Sequence, residues 1–344
     1  MKVAITYNQP APGKTDSEDV LEQVGFVSAG LSALGHDFQT FALSTGKSFS
    51  QQEGAGVYQL HGKDRGLNFL KALNQYSPDI IFNLFEEWEE DARLHSLPPA
   101  VFEYSGYPFT GSPFSSILLC TDKTLSRAVL RANGIPVPGG NEFRGKVQDF
   151  SLAATNPPWI VKPAWEDASV GIEDGSIYHD ADLLMKDLPL IFKKFCSQPL
   201  VVEEYIEGRE FNISLLEGQD GVVETLPAAE QVFRGWPEGK PRIINYSAKW
   251  DKDSFEYQNT IRIFNPGDAP LDPIRGTALR CWNAFHLKGY ARVDMRVDAK
   301  GRVYVIEINA NPCISADSGF VAAAKEAGYE PRDIVKKIME AALC

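Results

Sequence analysis

Apolar and polar positions along this chain repeat with two periods. "KVAITYN" is an unbroken apolar run of strand length, and after a Pro/Gly loop "SEDVLEQVGFVSAGLSALGHDF" carries apolar residues at helical spacing up to Gly35, a C-cap. This strand–loop–helix opening predicts an α/β domain. "PDIIFNLFE" predicts a second buried strand, and "YPFTGSP" a third, short one running into a turn. "CTDKTLSRAVLRANGIPVPGG" then reads as a helix with a Thr/Asp start and an Asn-Gly stop before prolines, a bridge to a second domain.

Beyond that bridge the strand signals multiply. "PWIVKPAW" is one strand, and "PLVVEEYIEGREFNISLLEG" is two, broken at Glu207-Gly208. From Leu226 to Phe255 the chain is rich in Pro, Gly, Arg and aromatics without a period, which predicts a long functional loop holding one short strand. "GYARVDMRVDAKGRVYVIEINA" predicts a hairpin turning at Asp298 to Gly301, and "SGFVAAAKEAGYEPRDIVKKIMEAAL" two closing helices.

Composition narrows the function classes. With 344 residues and 44% hydrophobic content the chain can bury a sizeable core over two or three domains. A net charge of -12 without any basic cluster argues against a nucleic-acid surface, which needs clustered Lys and Arg to release counterions. The five cysteines are scattered without a CxxC spacing, so neither a disulfide framework nor a zinc site is expected. No signal peptide and no membrane-length apolar run are visible, and the expected compartment is the reducing cytoplasm. The sequons at Asn212 and Asn245 are then chance matches.

Candidate chemistry concentrates in the hairpin. Period two puts Arg292, Asp294 and Arg296 on one face of its first strand and Glu307 and Asn309 on one face of the second, with Ile306 and Ile308 on the opposite face. Asp294 and Glu307 lie at comparable distances from the turn, so their oxygens can meet. Such hard ligands suit Mg²⁺, although a solvated polar face would show the same spacing. Phosphate-binding fingerprints fail: neither Gly13-Lys14-Thr15 nor Gly46-Lys47-Ser48 has the earlier glycine of a P-loop, and Gly54-Ala55-Gly56 lacks a third glycine and a preceding strand. "VKPAWEDASVGI" offers another route, because Lys162 ends a strand and the small-residue loop from Glu166 to Gly171 can turn backbone N–H groups towards phosphate oxygens. In "VVEEYIEGREF" an extended backbone could pair with a purine edge while a carboxylate takes ribose hydroxyls; exposed acids on an ordinary strand remain the alternative.

Taken in order, "PFTGSP" with "CTDKTLSRAVLRANGIPVP", then "IVKPAWEDASVGI", "VEEYIEGREFNISLL", "YSAKW" and "GYARVDMRVDAKGRVYVIEINANP" resemble the ATP-grasp superfamily, in its D-alanine–D-alanine ligase-like branch, over nearly the whole chain. The resemblance implies an α/β fold with α+β subdomains: a Rossmann-like domain over 1–115, a central ATP-grasp subdomain over 116–207, and a C-terminal subdomain with lid and metal site over 208–344. It implies that Lys123 and Lys162 reach ATP phosphates beside the Glu166 to Ser169 loop. Glu203, Glu204, Ile206 and Glu210 would contact adenine and ribose, and Lys249 in the lid would take a phosphate. Asp294, Glu307 and Asn309 would hold two Mg²⁺ ions, with Mn²⁺ as a substitute. Arg292 would stabilise the tetrahedral transition state, and Ser318 would hold the carboxylate of the second amino acid.

The implied reaction joins a small-molecule carboxylate to an amine through an acylphosphate, releasing ADP and phosphate. No nucleic acid or membrane is expected as a partner, and the resemblance leaves room for a homodimer. Alternatives on the same fold are a true D-alanine–D-alanine ligase of cell-wall precursor synthesis, a small-molecule kinase, and a non-catalytic nucleotide-binding protein. Departures bear on specificity. The family's Gly-Ser-Ser is Asp167-Ala168-Ser169 here, the Tyr after the lid lysine is Trp250, and Pro-Gly after the metal strand is Pro312-Cys313. The family's N-terminal His-Gly segment becomes "NLFEEWEEDARLHS", and Glu18 is the nearest match for its substrate-binding Glu. Amino-acid substrates other than two D-alanines are therefore expected. Cys313 is expected to pack rather than act as a nucleophile, and His95 to be solvated, with contact to a substrate carboxylate as the alternative.

Overall fold

The computed structural model describes residues 1–10, 15–43, 65–86, 91–153, 155–167 and 169–344. The three rejected glycine tripeptides fall wholly or partly outside them. The described chain forms three sheets. In the first, β1 (Lys2–Asn8) lies between β2 (Asp37–Leu43) and β3 (Ile80–Asn83), all parallel. Right-handed crossover logic places helices between such strands, here α1 (Thr15–Ala33) and α2 (Arg65–Tyr76). Gly35 adopts the left-handed φ of +71° that the C-cap requires. β2 and α2 lacked an expectation. The third strand expected at "YPFTGSP" is a single parallel bridge, Ile81 to Phe109, because Pro108 has no N–H to extend the ladder and Gly111 turns the chain away.

Helices α3 (Leu97–Ser105), α4 (Phe114–Thr121) and α5 (Lys123–Ala132) lead to the second sheet. Its antiparallel order is β4 (Gly140–Phe143), β7 (Leu200–Glu204), β5 (Trp159–Pro163), β6 (Ile177–Tyr178), with α6 (Ala181–Lys194) preceding β7. The third sheet takes β8 (Arg209–Glu217), flanked by β9 (Val223–Thr225), β10 (Ala229–Phe233) with edge strand β11 (Thr260–Phe264) beyond it, and the hairpin β12 (Tyr290–Val297) and β13 (Val303–Asn309) on the other side. The two strands read on either side of Glu207-Gly208 thus enter different sheets. Gly208 makes the crossing: a Cβ there would lie 2.0 Å from the Val297 carbonyl oxygen.

Between β10 and β11 the expected loop carries two short helices, α7 (Tyr246–Trp250) and α8 (Phe255–Asn259). Helix α9 (Leu271–Ala284) covers the apolar side of the third sheet, packing Ile274, Ala278 and Cys281 against Phe211, Val293 and Met295. The closing helices α10 (Gly319–Glu326) and α11 (Pro331–Ala342) return to the first sheet, where Ile334, Val335 and Ile338 share one core with Val3, Ile5 and Val27. Polar faces of the second and third sheets are left looking at each other across a cleft.

Candidate active site

The hairpin sets the floor of that cleft. Arg292 pairs with Asn309 and Asp294 with Glu307, so the three oxygen-bearing side chains share one face of adjacent strands. The register then shifts by one residue, leaving Ile306 without a partner as a bulge. Ile306 consequently turns into the cavity instead of sharing the buried face of Ile308, which corrects the strict alternation expected there. The surrounding cavity has a volume of about 670 Å³, within the range of small-molecule and cofactor sites.

Its cations come from separate elements. Asp122 caps α5, accepting from the N–H groups of Thr124 (2.8 Å) and Leu125 (3.3 Å), which fixes Lys123 at the helix start. The Lys123 ammonium reaches Glu307 Oε1 (2.9 Å), the Glu166 carbonyl (2.6 Å) and Asp167 Oδ1 (3.3 Å). Lys162, on β5, donates to Glu203 Oε1 at 2.7 Å, and Arg127 pairs with the other oxygen of the same carboxylate. Glu203 therefore orients Lys162 from a nearly fully buried position. Lys249 on α7 faces Arg292, Asp294 and Glu307 and makes no ion pair among the described residues; burial, then the Arg292 charge, pushes its pKa down.

The acids respond to these cations. Burial alone would raise Glu307, yet Lys123, Lys249 and Lys162 hold it at about 2. Asp167 is pushed up to about 6, by burial first and then by Glu307, against the pull of Lys123. Arg292 holds Asp294 bidentately at 2.8 and 3.0 Å, and Asn212 donates to the same carboxylate at 2.6 Å. Lysine charges and the Glu307 and Glu203 carboxylates thus satisfy one another across the cavity.

Along the wall formed by the end of β7 and the start of β8, Glu204 accepts from Asn156 N–H at 2.8 Å and Glu210 accepts from Arg296 at 2.9 Å. Arg296 also donates to the Ile206 carbonyl at 2.7 Å, tying β12 to the crossing between sheets. Glu166 is held by Gln198 at 2.7 Å, and Ser169 donates to the Ile244 carbonyl at 2.7 Å, joining the small-residue loop to the segment before α7. Arg127 and Asn212 carried no expectation as site residues, because tertiary contacts alone bring them here; Arg296, by alternation, and Asp167, in the small-residue loop, were visible in the sequence without a role assigned to either.

The opposite end is acidic. Asp19, Glu86 and Cys313 lie close together, with the thiol donating to Asp19 Oδ2 at 2.8 Å. Burial, then Glu86 and Asp19, raises the Cys313 pKa well above its ordinary value, so the group is a thiol and not a nucleophilic thiolate. Glu18 is exposed and does not line the cavity; Asp19 beside it does. Ser318 caps α10, accepting from Val321 N–H at 3.2 Å, and lines the cavity, as does Trp250. His95, expected in solvent, is buried against this wall. Burial pushes its pKa down to about 4, and its Nε2 has no hydrogen-bond partner among the described residues.

Comparison with known proteins decides the lineage. Residues 141–340 match the family model described as the D-ala D-ala ligase C-terminus. The chain belongs to the D-alanine–D-alanine ligase family. It is 31% identical over 281 residues to the D-alanine–D-alanine ligase of Thermotoga petrophila, covering 80% of this chain and 84% of that one. Identity is 28% over 330 residues to the ligase of Carboxydothermus hydrogenoformans, covering 92% and 97%. An uncharacterised protein of Sinorhizobium fredii is 30% identical over 292 residues, covering 81% of each. The crystal structure of the Bacillus anthracis D-alanine–D-alanine ligase complexed with ATP superposes with a TM-score of 0.73 at 21% identity, covering 100% of this chain and 97% of that one. The fold is the ATP-grasp fold, and by family the chain is a D-alanine–D-alanine ligase-like, ATP-dependent ligase. No described helix is long and apolar enough to cross a membrane.

Proposed function

We propose that this ligase joins a carboxylate to an amine with ATP, through an acylphosphate, and that its amino-acid substrates are not two D-alanines. The observation that carries the ligase reading is the single cavity shared by Lys123, Lys162 and Lys249 with Asp294, Glu307 and Asn309. The donor set is chemically apt for the implied cofactor: hard oxygens in adjacent registers suit two Mg²⁺ ions, with Mn²⁺ as a substitute, and the lysines suit phosphates. When bound, Mg²⁺-ATP would supply the phosphoryl group that activates the carboxylate. Lys123 and Lys162 would grip phosphate oxygens, Glu203 keeping Lys162 extended. Lys249, without an ion pair among the described residues, would close on the transferring group. Arg292 would move its charge from Asp294 to the oxyanion formed as the amine attacks. Ile206 N–H, which makes no hydrogen bond among the described residues, is suited to an adenine edge, and Glu210 to ribose hydroxyls.

Substrate choice rests on the other end. Asp167 adds a carboxylate where the resemblance has glycine, Trp250 replaces a tyrosine, and Asp19, Glu86 and Cys313 form the donor-side wall. The units over 1–115, 116–207 and 208–344 each contribute one sheet to this arrangement in our reading, which also places the activity in the cytoplasm. The test is a screen of amino-acid pairs with Mg²⁺-ATP. ADP and phosphate should appear only with both substrates, together with an amide product by mass spectrometry. A phosphorylated small molecule without amide would identify a kinase instead, and efficient D-alanyl-D-alanine formation would refute the altered specificity.

A further inference from the structure

Edge strand β11 contributes a cation that the ligase reading has not used. Its alternate residues Thr260 and Arg262 share a face, and both line the cavity. Arg262 pairs in register with Gln231, at the end of a polar row that runs across the sheet. Within the row, Gln231 donates to Asn212 (2.6 Å) and Asn212 to Asp294 (2.6 Å), while Asp294 lies opposite Glu307. Arg262 ends the row without a hydrogen bond or ion pair among the described residues. Thr260 Oγ1 is buried and likewise without a partner.

The position of Arg262 is specific. A Cβ added to Gly319 would lie 3.5 Å from Arg262 Nη2, so the guanidinium stands over the start of α10, beside the Ser318 cap. The N–H groups of that helix start favour an anion as well. Arg292 faces Arg262 and opposes its charge. Asp317 faces it too, but forms no ion pair with it; its carboxylate accepts from Ser315 Oγ at 3.0 Å. Two anion-binding elements, the helix start with Ser318 and the free guanidinium with Thr260, therefore stand side by side at the amine-substrate end. A neutral amino acid brings only one carboxylate.

We infer that Arg262 is a specificity-determining residue, binding a second anionic group on the amine substrate, so that the acceptor is a dicarboxylic amino acid or a close acidic analogue. This rests on the ligase reading above. In a product assay with Mg²⁺-ATP, aspartate and glutamate of both configurations should serve as acceptors at KM values about tenfold or more below those of alanine and serine. Arg262→Gln should raise KM for the dicarboxylic acids about tenfold or more while changing kcat little, and Arg262→Lys should restore part of the loss. Calorimetric titration of glutamate and aspartate into enzyme saturated with a non-hydrolysable ATP analogue should show the same loss of affinity in Arg262→Gln. If Arg262→Gln raises KM equally for neutral and acidic acceptors, the residue holds the common carboxylate and the inference falls. Amides formed only from neutral acceptors would also overturn it while leaving the ligase reading intact; absence of any amide despite bound nucleotide would instead defeat that reading.

Discussion

At the scale of single residues, the site places opposite charges where burial makes them interdependent. Glu307 lies opposite Asp294 and touches Lys123, so Glu307→Gln removes a proposed metal ligand and a lysine partner with almost no change of shape. Turnover should be abolished and Mn²⁺ binding, followed by electron paramagnetic resonance, should weaken about tenfold or more, while circular dichroism stays native; retained Mn²⁺ affinity would refute the ligand role. His95 gives a pH prediction. Its native pKa of about 4 lies below the unfolded value, so between the two the unfolded chain binds a proton that the native state refuses. Its contribution is complete above the unfolded value near 6.5 and is lost as pH falls towards 4, by an amount on the order of 2–3 kcal/mol. Urea unfolding should therefore show His95→Asn with a difference in stability between pH 7.5 and 4.5 smaller by about 2 kcal/mol than the parent. An unchanged difference would mean that His95 is protonated in the fold.

At the scale of elements, what the sequence disclosed depended on whether an element's reason for existing was local. The β12–β13 hairpin, the capped helix α5 and the two closing helices were legible because alternation, Asp122 and Gly301 act over a few residues. The Ile306 bulge was not, since it is fixed by pairing with Met295 and its neighbours across the hairpin. The break between β7 and β8 was legible at Glu207-Gly208, but that the two strands join different sheets came only through the family resemblance, since pairing partners are not written in local sequence. Arg262 has a visible signal, the alternation in "TIRIF", but nothing local to β11 says that this face meets the hairpin across the sheet. The change of sheet itself rests on Gly208, whose φ of +149° and 2.0 Å approach of a would-be Cβ to the Val297 oxygen leave no room for a side chain. Gly208→Ala should destabilise the protein by about 2 kcal/mol or more in chemical unfolding and weaken nucleotide binding, because Ile206 and Glu210 flank the crossing. Parent-like stability would show that the crossing relaxes freely.

Across the whole molecule, the segment between β10 and β11 closes over the cavity, and a small set of attachments holds it there. Lys240 pairs with Asp174 and with Glu256 (2.8 Å), joining the segment both to the turn before β6 and to its own helix α8. Tyr246 N–H donates to the Ile172 carbonyl at 3.3 Å, beside the Ser169 contact to Ile244. Trp236 meets Phe233 edge-on and Phe255 at a tilt, with Lys240 over the Trp236 ring. These contacts are mostly polar and partly exposed, and ion pairs of that kind contribute about 0–1 kcal/mol each. Such a segment should open far more readily than the sheets beneath it. Lys240→Ala removes both ion pairs and the ring contact together, and none of these atoms lines the cavity. In the free enzyme, limited trypsin or chymotrypsin digestion within residues 234–259 should accelerate about fivefold, the effect of roughly 1 kcal/mol on an opening equilibrium. Mg²⁺-ATP should suppress cleavage in both proteins, because Lys249 and the nucleotide would then hold the segment from below. Equal cleavage rates for Lys240→Ala and its parent would show that the Trp236 ring contacts, and not the Lys240 pairs, keep the closure in place.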